Sequence, residues 1–155
     1  MKFLSILSVV FLLSGCAYDS VERPASVYTP LYEAVKGPAI HFDFQSNQMK
    51  MLVPERVAFG TKRAALTSDF QSDLVSLATF LKEHPDMQIH LTGYSFADSE
   101  KSAKALSLRR VDAVSNFLRS QGIDVNRLKT QGVGGKRTSG QQNRVEILLN
   151  TLGEK

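Results

Sequence analysis

The sequence is poor in features that crosslink a chain, carry it through a membrane or bind a metal. Its one cysteine in 155 residues is Cys16, which excludes an intramolecular disulfide. The apolar run at residues 3–13 is 11 residues long, whereas a membrane-spanning helix needs about 20. His41, His84 and His90 include no i, i+4 pair, a spacing typical of metal ligands on a helix. We therefore expect no metal and no cofactor.

Signals of catalysis and of nucleic-acid binding are also missing. The glycine-rich run at residues 132–135 lacks the Lys-Ser/Thr ending of a phosphate-binding loop. Ser99, Ser102 and Ser107 have no base partner at a recognisable spacing. The formal net charge is only +4, and the basic residues are spread along the chain rather than clustered. We therefore expect a protein that is not an enzyme and that does not bind nucleic acid.

The N-terminus has the layout of a bacterial lipoprotein signal. Lys2 precedes the apolar run, and residues 13–16 read Leu-Ser-Gly-Cys. This tetrapeptide resembles the lipobox, which implies removal of residues 1–15 and lipidation of Cys16. The residue after the cysteine is Ala17 rather than the aspartate of inner-membrane lipoproteins, so the resemblance implies an outer-membrane anchor with the domain in the periplasm. The alternative is an ordinary secretory signal with an incidental cysteine.

Residues 16–38 are predicted to form the lipidated N-terminus and a tether. The segment contains three prolines and no convincing hydrophobic periodicity. Tyr28, Leu31 and Tyr32 are its candidates for docking against a folded part. The remaining residues, 39–155, are predicted to form one domain, because a chain of this length has room for one domain beside a tethering segment.

The pattern from residue 39 onward predicts a mixture of strands and helices. Strands are predicted at residues 39–44, 55–60, 87–94, 127–131 and 144–149. One helix is predicted from Thr67 or Ser68 to His84, and a second between residues 99 and 121. Residues 45–49 and 132–142 are predicted as turn and loop. The predicted fold class is α+β: a two-layer sandwich in which two main helices cover one face of a mixed β-sheet.

The second predicted helix carries the most specific pattern in the chain. Its apolar face is predicted to consist of Leu106, Ala113, Val114, Phe117 and Leu118, and Gly122 is placed to end it in a left-handed conformation.

Motifs in a fixed order indicate a family. Residues 106–110 have the pattern Leu-Ser-x-x-Arg, residues 85–94 combine a helix break with a strand that ends in Gly-Tyr, and residues 143–147 read NRVEI. The order of these motifs within residues 56–149 resembles the OmpA-like C-terminal domain, which is shared by peptidoglycan-associated lipoproteins and flagellar stator proteins.

The resemblance implies non-covalent binding of the peptidoglycan stem peptide through its diaminopimelate residue. Diaminopimelate offers a free carboxylate and a free ammonium on one short side chain. Arg110 falls on the family's arginine position, where it would clamp the carboxylate with two parallel hydrogen bonds. The alternative for Arg110 is a solvated helix charge or a salt bridge. Leu106 belongs to the same motif and is included among the candidate site residues.

The chain departs from the family pattern at the ammonium partner. The family's aspartate position is occupied by Phe96, which offers only a cation–π contact. The asparagine usually found before Leu-Ser is replaced by Ala103. Asp98 is the nearest acidic substitute or, alternatively, a helix cap. It can approach Arg110 only if the loop stays open until about residue 103, because helical residues 98–110 would span about 18 Å.

Three further residues are candidates at the same site. Arg144 would add a second carboxylate contact or form a surface salt bridge. Ser95 and Tyr94 would donate hydroxyl hydrogen bonds at the mouth of the loop or pack the end of a strand.

Two functions follow from the resemblance and stay open. One is an outer-membrane lipoprotein that tethers the envelope to the peptidoglycan wall. The other is a structural lipoprotein subunit of an envelope-spanning machine, such as a secretion system or flagellar motor, in which peptidoglycan binding is weakened or lost. Phe96 and Ala103, which depart from the family's pattern, and the extra strand predicted at residues 40–44 favour the second.

Overall fold

The structure is a computed structural model that describes residues 26–35, 37, 39–45, 47–60, 63–136, 138, 140 and 142–151. The predicted signal peptide, the lipidation site Cys16 and the first part of the predicted tether lie outside the described residues. Within the described part of the chain, none of the helices combines the length and apolar character that a membrane crossing requires.

The described elements are four α-helices, five strands and two 3₁₀ turns. The helices are α1 (Thr29–Ala34), α2 (Glu55–Ala58), α3 (Ser68–Glu83) and α4 (Glu100–Ser120). The strands are β1 (His41–Gln45), β2 (Gln48–Pro54), β3 (Met87–Ala97), β4 (Leu128–Lys136) and β5 (Arg144–Thr151). The 3₁₀ turns are Ser26–Tyr28 and Val125–Arg127.

The five strands form one mixed sheet with the order β1-β2-β5-β3-β4. Only the β3–β4 pair is parallel, and the other three pairs are antiparallel. The core lies between one sheet face and the helices, and its sheet side is formed by alternate strand residues such as Met51, Ile147 and Leu91. The predicted α+β two-layer sandwich is therefore confirmed.

The first described element begins at Ser26, inside the segment expected to be a tether. Tyr28, Leu31 and Val35 are buried in the core, and the Tyr28 hydroxyl donates to the carbonyl of Asn47 at 3.1 Å. The Tyr28 ring also lies 6.3 Å from that of Phe80 on α3. Residues 26–35 thus belong to the domain rather than to the tether.

The region before α3 differs from the prediction. A strand, β2, occupies residues 48–54, where Met49, Met51 and Val53 are fully buried. A strand is predicted at residues 55–60, but residues 55–58 form the helical turn α2. Pro54 is both the last residue of β2 and the N-cap of α2. The start of α3 is as predicted, since the Thr67 hydroxyl accepts the Phe70 N–H at 3.3 Å.

The first part of the glycine-rich segment predicted as a loop, residues 132–136, is the end of strand β4. A Cβ on Gly132 would lie 2.7 Å from the side-chain atoms of Ser107 and Leu108, and one on Gly93 would lie 2.6 Å from the Ser107 carbonyl oxygen. These glycines let α4 approach the β3–β4 pair at van der Waals distance. The glycines therefore serve helix–sheet packing, and this brings Arg110 close to the sheet.

Candidate functional site

The sheet-facing side of α4 differs from the predicted apolar face. It is made of Ala103, Ser107, Arg110, Val111, Val114, Ser115 and Leu118. Leu106 is only partly buried, beside this face. Ser107 and Arg110 are three residues apart, so both side chains point at the end of the sheet. The Leu-Ser-x-x-Arg pattern thus places its polar members inward.

Arg110 is the largest fully buried side chain of the described residues, with 1% of its surface exposed. Its Nε–H donates to the carbonyl of Arg63 at 2.9 Å, and one terminal nitrogen donates to the Ser95 hydroxyl at 3.1 Å. The other terminal nitrogen forms a salt bridge with a carboxylate oxygen of Glu55. The guanidinium carbon also lies 5.3 Å from the centre of the Phe59 ring. Arg110 is therefore held on several sides by its own chain.

Glu55 connects Arg110, through Asn143, to the backbone of Phe96, which occupies the family's aspartate position. Its second carboxylate oxygen accepts from the side-chain amide of Asn143 at 2.6 Å, and its backbone N–H donates to the Asn143 carbonyl at 3.0 Å. The side-chain oxygen of Asn143 in turn accepts the backbone N–H of Phe96 at 2.7 Å. Because Phe96 N–H requires an acceptor, the amide of Asn143 must point its NH₂ group at Glu55. The network joins the start of α2, strand β3, helix α4 and the residue just before β5.

An open depression lies beside this network. Its volume is about 450 Å³, and it is lined by Phe59, Gly60, Arg63, Ala65, Leu66 and Thr67. Phe59 and Arg63 both contact Arg110, the first through its ring and the second through its carbonyl oxygen. The depression is therefore adjacent to the Arg110 network, to which Phe59 and Arg63 connect it.

The pleat of the sheet separates the predicted site residues into two groups. Ser95 is buried and faces α4, whereas Tyr94 and Phe96, its neighbours in β3, alternate to the open face of the sheet. Arg144 pairs with Tyr94 in the sheet register and also lies on the open face, because Val145 beside it is buried in the core. The structure brings Ser95 to Arg110 but does not bring Arg144, Tyr94 or the Phe96 ring there.

Arg144 has its own partners on the open face. Its Nε donates to Glu146 at 2.7 Å, a terminal nitrogen donates to the Gln142 carbonyl at 3.2 Å, and the guanidinium carbon lies 4.0 Å from the centre of the Tyr94 ring. The alternatives for Arg144 were a second contact with the ligand carboxylate and a surface salt bridge, and its pairing with Glu146 is a surface salt bridge.

Asp98 is exposed and apart from the network. The helix begins at Glu100, and its N-cap is Ser99, whose hydroxyl accepts the Ser102 N–H at 3.4 Å. The cap alternative for Asp98 is therefore wrong. The condition for a ligand role, a loop open until about residue 103, is not met, because Glu100 already lies about 15 Å along the helix axis from Arg110.

Sequence reasoning missed Glu55 and Asn143 as members of this site. The pattern predicts a strand at Glu55, and a strand does not relate its side chain to α4. Asn143 lies inside the NRVEI motif, which by itself indicates no role for it. The available signal is Pro54, which ends the strand just before Glu55, so that Glu55 does not continue the strand.

Among the described residues, no group of three or more His, Cys, Asp or Glu side chains is placed to hold a metal.

Two curated proteins similar to this chain are lipoproteins by name. The probable lipoprotein YiaD of Escherichia coli is 27% identical over 132 residues, which are 79% of this chain and 60% of YiaD. A peptidoglycan-associated lipoprotein of Agrobacterium fabrum is 30% identical over 101 residues, which are 64% of this chain and 54% of the relative. The chain thus spans little more than half the length of these relatives.

The fold and the family agree with each other. The structure of the cell wall anchor of the T6SS from Pseudomonas aeruginosa matches with a TM-score of 0.66 and 20% identity, over 84% of this chain and 99% of that one, which shows a shared fold. The model of the OmpA family matches residues 58–146, more than half of the sequence. This range contains the Leu-Ser-x-x-Arg motif at residues 106–110 and the strand that ends in Gly-Tyr at residues 93–94. The chain therefore belongs to the OmpA family.

Proposed function

We propose that this protein is an outer-membrane lipoprotein that holds the envelope to the cell wall by binding the peptidoglycan stem peptide non-covalently. The lipid on Cys16 would supply the membrane end, and the Arg110 end of the sheet would supply the wall end. The observation that carries the proposal is the family arginine, which is retained and is fixed by a polar network beside an open depression. The name of the Agrobacterium relative, a peptidoglycan-associated lipoprotein, supports the same ligand.

A sacculus pull-down tests the wall end. Full-length protein in detergent would be mixed with purified sacculi and sedimented. We expect retention of the unsubstituted protein and a loss of most of it for Arg110→Lys, because a lysine cannot reproduce the three directed hydrogen bonds that order this site. Arg109→Ala is the matched control, since Arg109 is the exposed neighbour on the same helix. Equal retention of the two variants would refute the site.

The membrane end needs a separate test. Metabolic labelling with palmitate should label the protein, and Cys16→Ser should abolish the label and release the chain from outer-membrane fractions. Labelling that persists in the variant would contradict anchoring at Cys16.

A second function has one specific observation in its favour. Glu55 already gives Arg110 a carboxylate partner, and Phe96 replaces the family's acid, so a structural role in an envelope-spanning machine with weakened wall binding is also supported. One solved structure that shares this fold is named as the cell wall anchor of a T6SS, which is a component of such a machine. Co-purification of a stable membrane complex, with no retention on sacculi, would favour this function over the first.

A further inference from the structure

We propose that the edge of the domain formed by α1 and β1 docks on the membrane surface beside the lipid anchor, as a second and reversible membrane contact. The contact surface is an aromatic patch that consists of Tyr32, Phe42 and Phe44. The proposal rests on the proposed function in one respect, because it takes Cys16 as the point of lipid attachment. It goes beyond that function by assigning this patch a ligand, the headgroup region of the bilayer.

The aromatic patch is a cluster of three rings at the edge of the sheet. The Tyr32 ring lies 5.1 Å from that of Phe42 and 5.9 Å from that of Phe44, edge to face in both cases. The two phenylalanine rings stack at 6.1 Å, and both pack partly against the core. Because the rings hold each other in place, the patch needs little further ordering to bind a surface.

The surroundings of Tyr32 set it apart from other exposed apolar side chains. Among the described residues, the large exposed ones are Tyr32 at 43%, Val75 at 43%, Leu108 at 40% and Val125 at 53%. The other three are aliphatic and lie on three different elements, whereas Tyr32 belongs to a ring cluster. A tyrosine suits a membrane interface, because its ring enters the apolar boundary while its hydroxyl stays among the headgroups.

The exposed side of α1 carries little charge. Glu33 is the one charged residue among the exposed residues of α1, whereas those of α4 include six charged residues. A charged group loses hydration when it approaches an apolar boundary, and this loss is costly. Of these two helices, α1 is therefore the one that can approach a bilayer at low cost.

The patch follows closely on the predicted anchor. Ser26, where the described elements begin, follows Cys16 by ten residues, and even a fully extended chain of ten residues spans at most about 36 Å. A lipid on Cys16 would thus confine the patch to the neighbourhood of the bilayer and raise its effective concentration there. Under this condition, a patch too small to bind a membrane alone is sufficient.

The strand register places Arg110 away from this edge. The Tyr28 hydroxyl, beside α1, bonds to Asn47 in the connection between β1 and β2, which the strand pairing places at the Gln88 end of β3. Arg110 bonds to Ser95, seven residues further along β3, and seven strand residues span about 23 Å. A domain docked through the patch would therefore hold its Arg110 end away from the membrane.

Fluorescence tests the docking directly, because the chain contains no tryptophan. Tyr32→Trp places a single reporter in the patch. Leu108→Trp is the matched control, since Leu108 has similar exposure and lies beside β4 at the opposite edge of the sheet. Each protein, purified from membranes, would be reconstituted in vesicles whose lipids carry bromine near the top of the acyl chains. We expect Tyr32→Trp to lose most of its fluorescence, because an interfacial ring lies about 5–10 Å into the headgroup boundary, and Leu108→Trp to retain its own.

An added charge tests whether the patch itself makes the contact. Thr29 is exposed and precedes Tyr32 by three residues, which places both on one face of α1. Thr29→Asp should restore most of the fluorescence of the Tyr32→Trp reporter, since a carboxylate resists entry into the boundary. Ser102→Asp, at an exposed position in the first turn of α4, is the control and should change nothing. Both variants should fold, because an aspartate in the first turn stabilises a helix.

Equal quenching of the two reporters, or quenching of neither, overturns the proposal. An emission of Tyr32→Trp that follows the density of protein in the vesicle instead of the bromine also overturns it, and assigns the patch to a second copy. If the purified protein carries no lipid, the membrane end of the proposed function fails separately. The Cys16 thiol, the only one in the chain, is then coupled to a maleimide lipid, and the same two reporters decide the proposal.

Discussion

The two faces of the sheet carry parallel arginine–glutamate pairs at the same end, and the two pairs have opposite characters. On the helix side, Arg110 is 1% exposed and pairs with Glu55. On the open side, Arg144 is 29% exposed and pairs with Glu146. The two glutamates differ little, at 18% and 14%, so the contrast lies in the arginines. Of these two arginines, Arg110 is the one that solvent does not reach, so its charge must be compensated by groups of the protein.

The contrast has a simple origin in the fold. Successive residues of a strand point to opposite faces of the sheet. Ser95 therefore contacts Arg110 on the helix side, and Tyr94 contacts Arg144 on the open side. Helix α4 covers one side and leaves the other to solvent. A pair under a helix must be complete to be tolerated, whereas a pair in water contributes little whether complete or not.

The largest effect should come from removal of the buried arginine. Arg110→Ala removes the guanidinium from the partly buried Glu55 and opens a cavity, so we expect a loss of about 3 kcal/mol or more in the free energy of unfolding. Arg144→Ala, measured in the same urea titration, should lose about 1 kcal/mol or less. Comparable losses for the two variants would mean that burial does not distinguish the pairs.

Arg127 extends the comparison to a third arginine, whose described hydrogen bonds go to backbone carbonyls rather than to a carboxylate. Its guanidinium donates to the carbonyls of Leu81 and Met87, each at 3.0 Å, and of His84 at 2.7 Å, closing the end of α3. Burial lowers the pKa of Arg127, and the negative charges of Asp86 and Asp124 oppose this lowering.

Arg127→Ala should therefore destabilise by about 2 kcal/mol, less than Arg110→Ala, because it orphans carbonyl groups rather than a charge. Thermal unfolding would measure it, with the exposed Arg119→Ala as the control that should change little. A larger loss for Arg127→Ala than for Arg110→Ala would show that carbonyl capping outweighs charge compensation in this fold.

Much of the fold could be predicted because its signals are local. The Thr67 cap and the residue before Pro85 bound α3, and Gly122, with a φ of +91°, ends α4 as expected. The errors came where distant contacts decide. Gly132 is typical of a loop unless it is known that α4 packs on it. Residues 45–49 are polar and predict a turn, so the sequence pattern does not indicate β2.

The site was harder to predict than the fold. The motif predicts Arg110 as a site residue, but its burial depends on which helix face meets the sheet. The predicted apolar stripe overlaps that face only at Val114 and Leu118, whereas Ala113 and Phe117 pack partly against the core. The split of Ser95 from Tyr94 and Arg144 required the strand register. Glu55 enters from 55 residues away in sequence, so no local pattern could relate it to Arg110.

A smaller effect should separate neighbouring residues at the start of β5. Asn143 donates to Glu55 and accepts from Phe96, so it belongs to the buried network, whereas Arg144 next to it belongs to the open face. Asn143→Ala leaves both partners short of a hydrogen bond and should lose between about 1 and 2 kcal/mol. Urea unfolding beside the exposed Gln142→Ala would measure this, and an effect no larger than the control would remove Asn143 from the network.

The smallest effect concerns the open-face pair, and its distinguishing property is sensitivity to salt. The guanidinium of Arg144 stacks on Tyr94 and pairs with Glu146 where solvent reaches it, so the pair should contribute about 1 kcal/mol or less. Its ionic part should fade as salt rises from about 0.01 M to 1 M, because the screening length falls from about 30 Å to about 3 Å. The difference in unfolding free energy between Glu146→Gln and the unsubstituted protein should thus shrink with salt, while that of Glu55→Gln should persist, since its partner is shielded from ions by α4. Two differences that shrink in parallel would mean that solvent ions reach both faces of the sheet equally.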